Sequence, residues 1–234
     1  MRPSEKATSR FSAGDAGSNP APAAMTFSFC HPSYKRPTQA RQCYDCWDDG
    51  GKMQWIVSLN YNDPTTDDYM IAFNGTDAMV IQSPTSNMVM ASNAAAKQAT
   101  GDILILVSDD MWPTGNWRGE LTKAFIAIEG PAVLQLHDGI RDDIMTFPVM
   151  NRAAYELLGY LYHPSYISMF ADNDLAETAK ALGIYHRCDA RIVEHRHYTN
   201  GKAANDATYQ HENSRLAWQH GKYVFDMRAK QGFQ

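Results

Sequence analysis

The 234-residue sequence is poor in cysteine, in excess positive charge and in long apolar runs. Its four cysteines, Cys30, Cys43, Cys46 and Cys188, are too few for a chain of this length to form a disulfide framework, and no secretory apolar segment precedes them. Lys and Arg total 21 against 26 Asp and Glu, a net charge of -5. That balance argues against a generic polyanion-coating protein, whose affinity rests on clustered cations, and leaves room only for a local basic groove. The longest obvious apolar run, Ile103 to Val107, has the length of a buried strand and falls far short of the roughly 18 residues a spanning helix needs. Together these shortages predict a cytoplasmic protein with free thiols.

What is present is core material. Hydrophobic residues make up 44% and charged residues 20% of the chain, a globular balance, and the length suits one α/β domain with extensions. Residues 1–24 hold fifteen Gly, Ala, Ser or Pro and only Met1 and Phe11 as larger apolar groups, so a disordered leader is expected there. Met25 stands where the ordered pattern begins and is a natural alternative start. Residues 25–204 form the expected main α/β domain, and 205–234 a polar C-terminal extension, helical in part, to which the sequence assigns no chemistry.

Within that domain, strands are predicted at Thr26 to Cys30, Trp55 to Leu59, Ala78 to Ile81 and Asp102 to Val107. A helix from Thr38 to Asp49 places Ala40, Cys43, Tyr44 and Trp47 on one face, and Ala94 to Thr100 reads as a helix ended by Gly101. The alternation is that of βαβ units with parallel strands. Further helices are expected at Asn116 to Phe125, Arg152 to Leu158 and Asp174 to Leu182, and a strand from Ile192 to Tyr198.

Ligand sites in such sheets form beyond the carboxyl ends of the strands, and Ser108-Asp109-Asp110 follows the most apolar one. Adjacent acids repel unless a cation compensates, which points to Mg²⁺ or Mn²⁺; the residues alone leave this level with an exposed acidic turn before Pro113.

Pro32-Ser33-Tyr34-Lys35-Arg36-Pro37 after the first strand resembles the nucleotide-binding loop of the family 2 glycosyltransferases. Asn93 with its alanine-rich helix, Gly101-Asp102 and then Ser108-Asp109-Asp110 resemble the stretch of that family that ends in the acidic metal motif. The resemblance runs from about Met25 to Tyr198. It departs from the family where Ser108-Asp109-Asp110 replaces Asp-x-Asp, where Asn60 stands for an acid with Asp63 nearby, and where Ser92 stands for an arginine.

The resemblance implies a GT-A-like three-layer α/β sandwich with a mostly parallel central sheet. It also implies an inverting, metal-dependent transfer of a sugar from a nucleoside diphosphate-sugar, a UDP-sugar foremost. The acceptor would be a glycan, a protein, a lipid-linked sugar or a modified nucleobase. Pro32, Ser33, Tyr34, Arg36, Asn60, Asp63, Asn93 and Ser108 would contact the nucleotide, and Asp109 and Asp110 the metal. Arg36 is either a fixed cation there or a surface arginine beside a turn proline.

The family's base falls in Ala171-Asp172-Asn173-Asp174-Leu175. Asp174-Leu175-Ala176-Glu177 reads as a capping box, which makes Asp174 the helix cap and leaves Asp172 as the base. Asp138, Arg152 and Asp174 are expected to contact substrate, as is the His137-Asp138-Gly139 stretch. His195-Arg196-His197, on a strand, sends both imidazoles to one face. In similar enzymes a histidine after the base helix completes the metal site; His195 is favoured, with His197 as a second ligand or diphosphate contact, against an exposed strand end. Cys43-x-x-Cys46 is read as core packing, both thiols falling on the helix's apolar face. Trp112, Trp117, Tyr160 and Tyr162 either stack on a sugar or fill the core. The rival readings are a metal-dependent hydrolase of a phosphorylated or nucleotide substrate, and a non-catalytic nucleotide-sugar-binding module suggested by Asn60 and Ser92.

Overall fold

The computed structural model describes residues 24–85, 87–140 and 143–234. The leader expected over residues 1–24 lies, apart from Ala24, outside them. Seven strands form one sheet in the order β3-β2-β1-β4-β7-β6-β8. They are β1 (Phe27–Ser33), β2 (Gln54–Leu59), β3 (Met79–Gln82), β4 (Ile103–Leu106), β6 (Val133–Leu136), β7 (Pro148–Asn151) and β8 (Tyr185–Cys188). The first four run parallel, β7 is antiparallel to both β4 and β6, and β8 is parallel to β6. Two further strands, β5 (Met111–Pro113) and β9 (Val193–His195), pair antiparallel in a small second sheet.

Period-two alternation along β1 and its neighbours divides the core into two faces. Phe27, Phe29, Trp55, Val57, Ile103 and Ile105 pack under α1 (Pro37–Trp47), α2 (Thr66–Ala72) and α4 (Trp117–Ile126). Cys30, Ile56, Leu104 and Leu106 pack on the other face with α3 (Met88–Gln98), α5 (Arg152–Leu158) and α6 (Ala171–Ala181). The result is the expected three-layer α/β sandwich. Trp117 and Tyr162 belong to these cores.

The C-terminal extension folds back as α7 (Ala207–Glu212) and α8 (Arg215–Lys230). Val224 of α8 joins the second core, and Gly221 allows the approach, since a Cβ there would meet the Met169 carbonyl oxygen at 2.2 Å. Arg228 of α8 reaches into α6, its Nε donating to Asp174 Oδ2 at 2.8 Å. Among the described residues no helix is long and apolar enough to cross a membrane.

Candidate active site

A cleft of about 550 Å³ opens over the carboxyl ends of β1, β2 and β4. Pro32 and Ser33 at the end of β1, Tyr34 and Arg36 just after it, Asn60 after β2, and Ser108, Asp109 and Asp110 after β4 border it; His195, His197 and Asp172 also line it.

The acidic turn is held from below by α1. Trp47 donates its indole N–H to the Met111 carbonyl at 2.8 Å, and the Cys43 thiol lies 3.4 Å from the carbonyl oxygens of both Ser108 and Met111. Within this frame the two aspartates have different surroundings. Asp109 Oδ1 accepts from Ser33 Oγ at 2.8 Å and lies 2.9 Å from His31 Nε2. The Trp55 indole, which can only donate, is directed at His31 Nδ1, so the imidazole proton sits on Nε2 and is given to Asp109. Arg36 lies 3.8 Å from the other oxygen of Asp109. Asp110 instead takes hydrogen bonds from Ser108 Oγ and Tyr209 Oη, each at 2.5 Å, and faces His195 Nε2 at 3.1 Å.

Pairing of β5 with β9 sets His195 opposite Met111, one residue past the acidic turn. The His195 N–H donates to the Asp138 carbonyl and the Arg196 N–H to the Asp110 carbonyl, both at 2.7 Å, which fixes the strand end over the turn. His195 Nδ1 then lies 3.1 Å from Asp138 Oδ2. Burial alone would lower the His195 pKa, but the hydrogen bonds and charges of Asp110 and Asp138 outweigh it and raise the value to about 9. Burial likewise opposes ionisation of Asp110, yet His195, Ser108 and Tyr209 hold its carboxyl well below the usual carboxylate range. His197, lowered by burial and by neighbouring His195, follows β9 as the cap of a short 3-10 turn, so the strand is shorter than predicted. Even so, one ligand atom each from Asp110, His195 and His197 lies within 4.8 Å of the others.

This donor set fits a divalent transition ion. Two imidazoles and a carboxylate converge, and Asp138 holds the far nitrogen of His195 in the manner of an outer-shell carboxylate on a metal-bound histidine. Asp109 lies outside the cluster, bound to His31 and Ser33.

α6, whose first residues also border the cleft, begins at Ala171, and Phe170 is its cap, in the left-handed region at φ 70° and without a side-chain cap bond. A non-glycine residue in that region carries strain, here directly before the turn that presents Asp172 to the cleft. Asp172 Oδ1 accepts the Asn173 N–H at 2.8 Å.

Several expectations are corrected by these placements. Asp174 is not the helix cap: it sits inside the first turn of α6, is 0% exposed, and is bound by Arg228 and Tyr166. Asp138, 1% exposed, faces His195, Thr146 Oγ1 and the Ile140 N–H. Arg152 lies at the far end of β4, donating to the carbonyls of Ala99 and Gly101. The amide of Asn93 is spent on the backbone of Leu161 and Tyr162. Asp63 accepts from the Lys35 N–H, the Thr65 N–H and Thr65 Oγ1, bracing the loop beside Asn60. Cys43 is buried but Cys46 is exposed, because it lies roughly 110° around the helix from the centre of the Ala40, Cys43, Tyr44 and Trp47 stripe. Trp112 stacks on Arg196, whose guanidinium lies 3.8 Å from its ring centre.

The sequence reading missed His31, Tyr69, Asp206, Tyr209 and Glu212. Tyr69 Oη accepts the Arg36 N–H at 2.9 Å and lies 2.6 Å from Ser33 Oγ. Asp206 pairs with Arg36, and Glu212 lines the cleft with its pKa raised by burial. Alternation along β1 was the available signal for His31, which falls on the same face as Phe27 and Phe29.

No family model matches the chain, and no curated protein sequence does. Solved structures do match it in fold. TarS of S. aureus superposes with a TM-score of 0.57 at 16% identity, over 73% of this chain and 36% of that one, so the chain spans about a third of TarS. Glucosyl-3-phosphoglycerate synthase from Mycobacterium tuberculosis, solved with Mn²⁺, UDP and phosphoglyceric acid, gives 0.56 at 14% identity over 75% of this chain and 72% of that one. A mannosyltransferase from Pyrobaculum calidifontis, solved with GDP-Man and Mn²⁺, gives 0.55 at 13% identity over 88% and 75%. The chain therefore shares the GT-A-like fold of these proteins.

Proposed function

We propose that the protein is an inverting glycosyltransferase that moves a sugar from a nucleoside diphosphate-sugar to an acceptor hydroxyl. The observation that carries this reading is the convergence of Asp110, His195 and His197 at one end of a cleft that Arg36 and Asp172 also border. The fold match to enzymes solved with UDP-sugars, GDP-Man and Mn²⁺ supports it.

Asp110, His195 and His197 would hold the ion, and two imidazoles favour manganese over the oxygen-loving magnesium. When bound, such an ion supplies positive charge beside the diphosphate as it leaves. Ser33, Tyr34 and Asn60 border the nucleotide end of the cleft, and Arg36 offers a planar fork of donors suited to phosphate oxygens. Asp172 takes the acceptor hydroxyl proton as the new glycosidic bond forms. Its place in the first turn of α6 favours the ionised carboxylate that a base must be. Attack by the acceptor on the sugar carbon from the face opposite the leaving group would give inversion, and the position of Asp172 in the lining of the same cleft is compatible with that.

The test is a panel of nucleoside diphosphate-sugars incubated with Mn²⁺, followed by release of free nucleoside diphosphate. Slow donor hydrolysis that depends on Mn²⁺ and accelerates with an acceptor is the expected outcome. Failure of every donor to bind or turn over, with or without Mn²⁺, overturns the reading.

A further inference from the structure

The cap and first turns of α7 lie over the charged groups that the proposed donor site needs. Asp206 engages Arg36 through two parallel hydrogen bonds, Nε to Oδ2 at 2.9 Å and Nη2 to Oδ1 at 2.6 Å. That is the two-oxygen pattern with which a phosphate engages a guanidinium. The Tyr209 ring lies 4.1 Å from the same guanidinium, and its hydroxyl donates to Asp110 Oδ2. Thr208 Oγ1 adds a bond to the Tyr34 carbonyl at 3.2 Å. One short element thus occupies both the cation and the carboxylate.

We infer, on the donor-site reading above, that residues 206–212 form an intrasteric plug: the Asp206 carboxylate stands in for a phosphate on Arg36, and a nucleoside diphosphate must displace it. The pair is built to open. The Arg36 side chain is 8% exposed but that of Asp206 is 38% exposed, so water can reach the carboxylate side and an incoming phosphate can exchange with it. The element is held further by Ser168 Oγ on the Glu212 carbonyl oxygen and by the Tyr209 ring against His197 and Tyr198, none of them part of either core, and Asn213 and Ser214 separate it from α8, which Arg228 holds to Asp174, so it can leave with both cores intact. Tyr209 leaves with it, freeing Asp110 Oδ2 as Arg36 is freed.

Asp206 also caps α7, its Oδ1 accepting the N–H groups of Thr208 and Tyr209. Asp206→Asn keeps a good capping oxygen while removing the charge that holds Arg36. We expect D206N to bind UDP with Mn²⁺ roughly fivefold or more tightly than wild type, because less of the protein is held in the occluded state. Hydrogen exchange of the 207–212 amides in wild type should speed up on adding UDP and Mn²⁺. As a second variant, Tyr209→Phe should bind Mn²⁺ alone more tightly, read by electron paramagnetic resonance. Equal or weaker UDP binding by D206N beside a wild type that binds, or slower exchange on adding UDP, overturns the plug and leaves the donor site standing. If neither protein binds UDP, GDP or any other nucleoside diphosphate, the donor-site reading itself fails and takes the plug with it.

Discussion

Asp138 holds His195 from behind, its Oδ2 lying 3.1 Å from Nδ1, on the side of the ring away from Asp110. That contact fixes the ring so that Nε2 faces Asp110. Asp138→Asn should weaken Mn²⁺ binding by about 10- to 100-fold, the usual effect of losing an outer-shell carboxylate, while leaving the far-ultraviolet circular dichroism spectrum unchanged. Calorimetric titration with Mn²⁺ gives the number, and an unchanged dissociation constant would remove Asp138 from the site.

His195 also sets a pH dependence. Its pKa in the metal-free fold rises from an ordinary 6.5 to about 9, so at neutral pH it is an imidazolium lying between Asp110 and Asp138. A ligand nitrogen must lose its proton before it binds an ion, so Mn²⁺ affinity should climb with pH and level off above about 9. Below that point the slope is about tenfold per pH unit for one displaced proton.

The same shift acts on the stability of the metal-free protein. Because the folded value is the higher one, the stabilisation from His195 is complete below about pH 6.5 and disappears as pH rises through about 9. Thermal melts in chelator should show Tm falling across that window, and His195→Gln should flatten the decline.

Asp172→Asn should cut transfer roughly a hundred- to ten-thousandfold, as loss of a general base does, with donor affinity kept within about twofold. Near-normal transfer by this variant, measured alongside its nucleotide dissociation constant, would exclude Asp172 as the base.

Asp174 and Arg228 give a different result. Asp174 is fully buried, so Arg228→Ala leaves an unpaired carboxylate in the interior and should cost about 3–5 kcal/mol of stability. Urea denaturation should show this loss, whereas the donor dissociation constant of the folded fraction should not change.

The parallel half of the sheet was legible because its strands carry dense apolar runs: β1, β2 and β4 fall within a residue or two of the expected spans at most ends, and α5 matches at both. The strands β6, β7 and β8 escaped notice because Gln135, Pro148 with Asn151, and His186 with Arg187 interrupt the apolar runs by which the equally short β3 and β4 were found. The α6 start was misplaced by three residues because its cap, Phe170, relies on backbone conformation instead of a polar side chain, while Asp174-Leu175-Ala176-Glu177 imitated a capping box. In the site, the acidic turn and both histidines were visible as local motifs. The Asp138–His195 contact spans 57 residues of sequence and Asp206–Arg36 spans 170, distances over which no local pattern carries information.

Arg228 also donates Nη1 to the carbonyl oxygen of Gln234 at 2.8 Å, so a single guanidinium fastens the segment after α8 to the helix that carries Asp172. Loosening of the segment after α8 is thereby coupled to the helix that brings Asp172 to the cleft, whereas the four parallel strands keep their own fastening. Gentle heating should therefore abolish sugar transfer while nucleotide capture survives, giving inactivation in two stages instead of one.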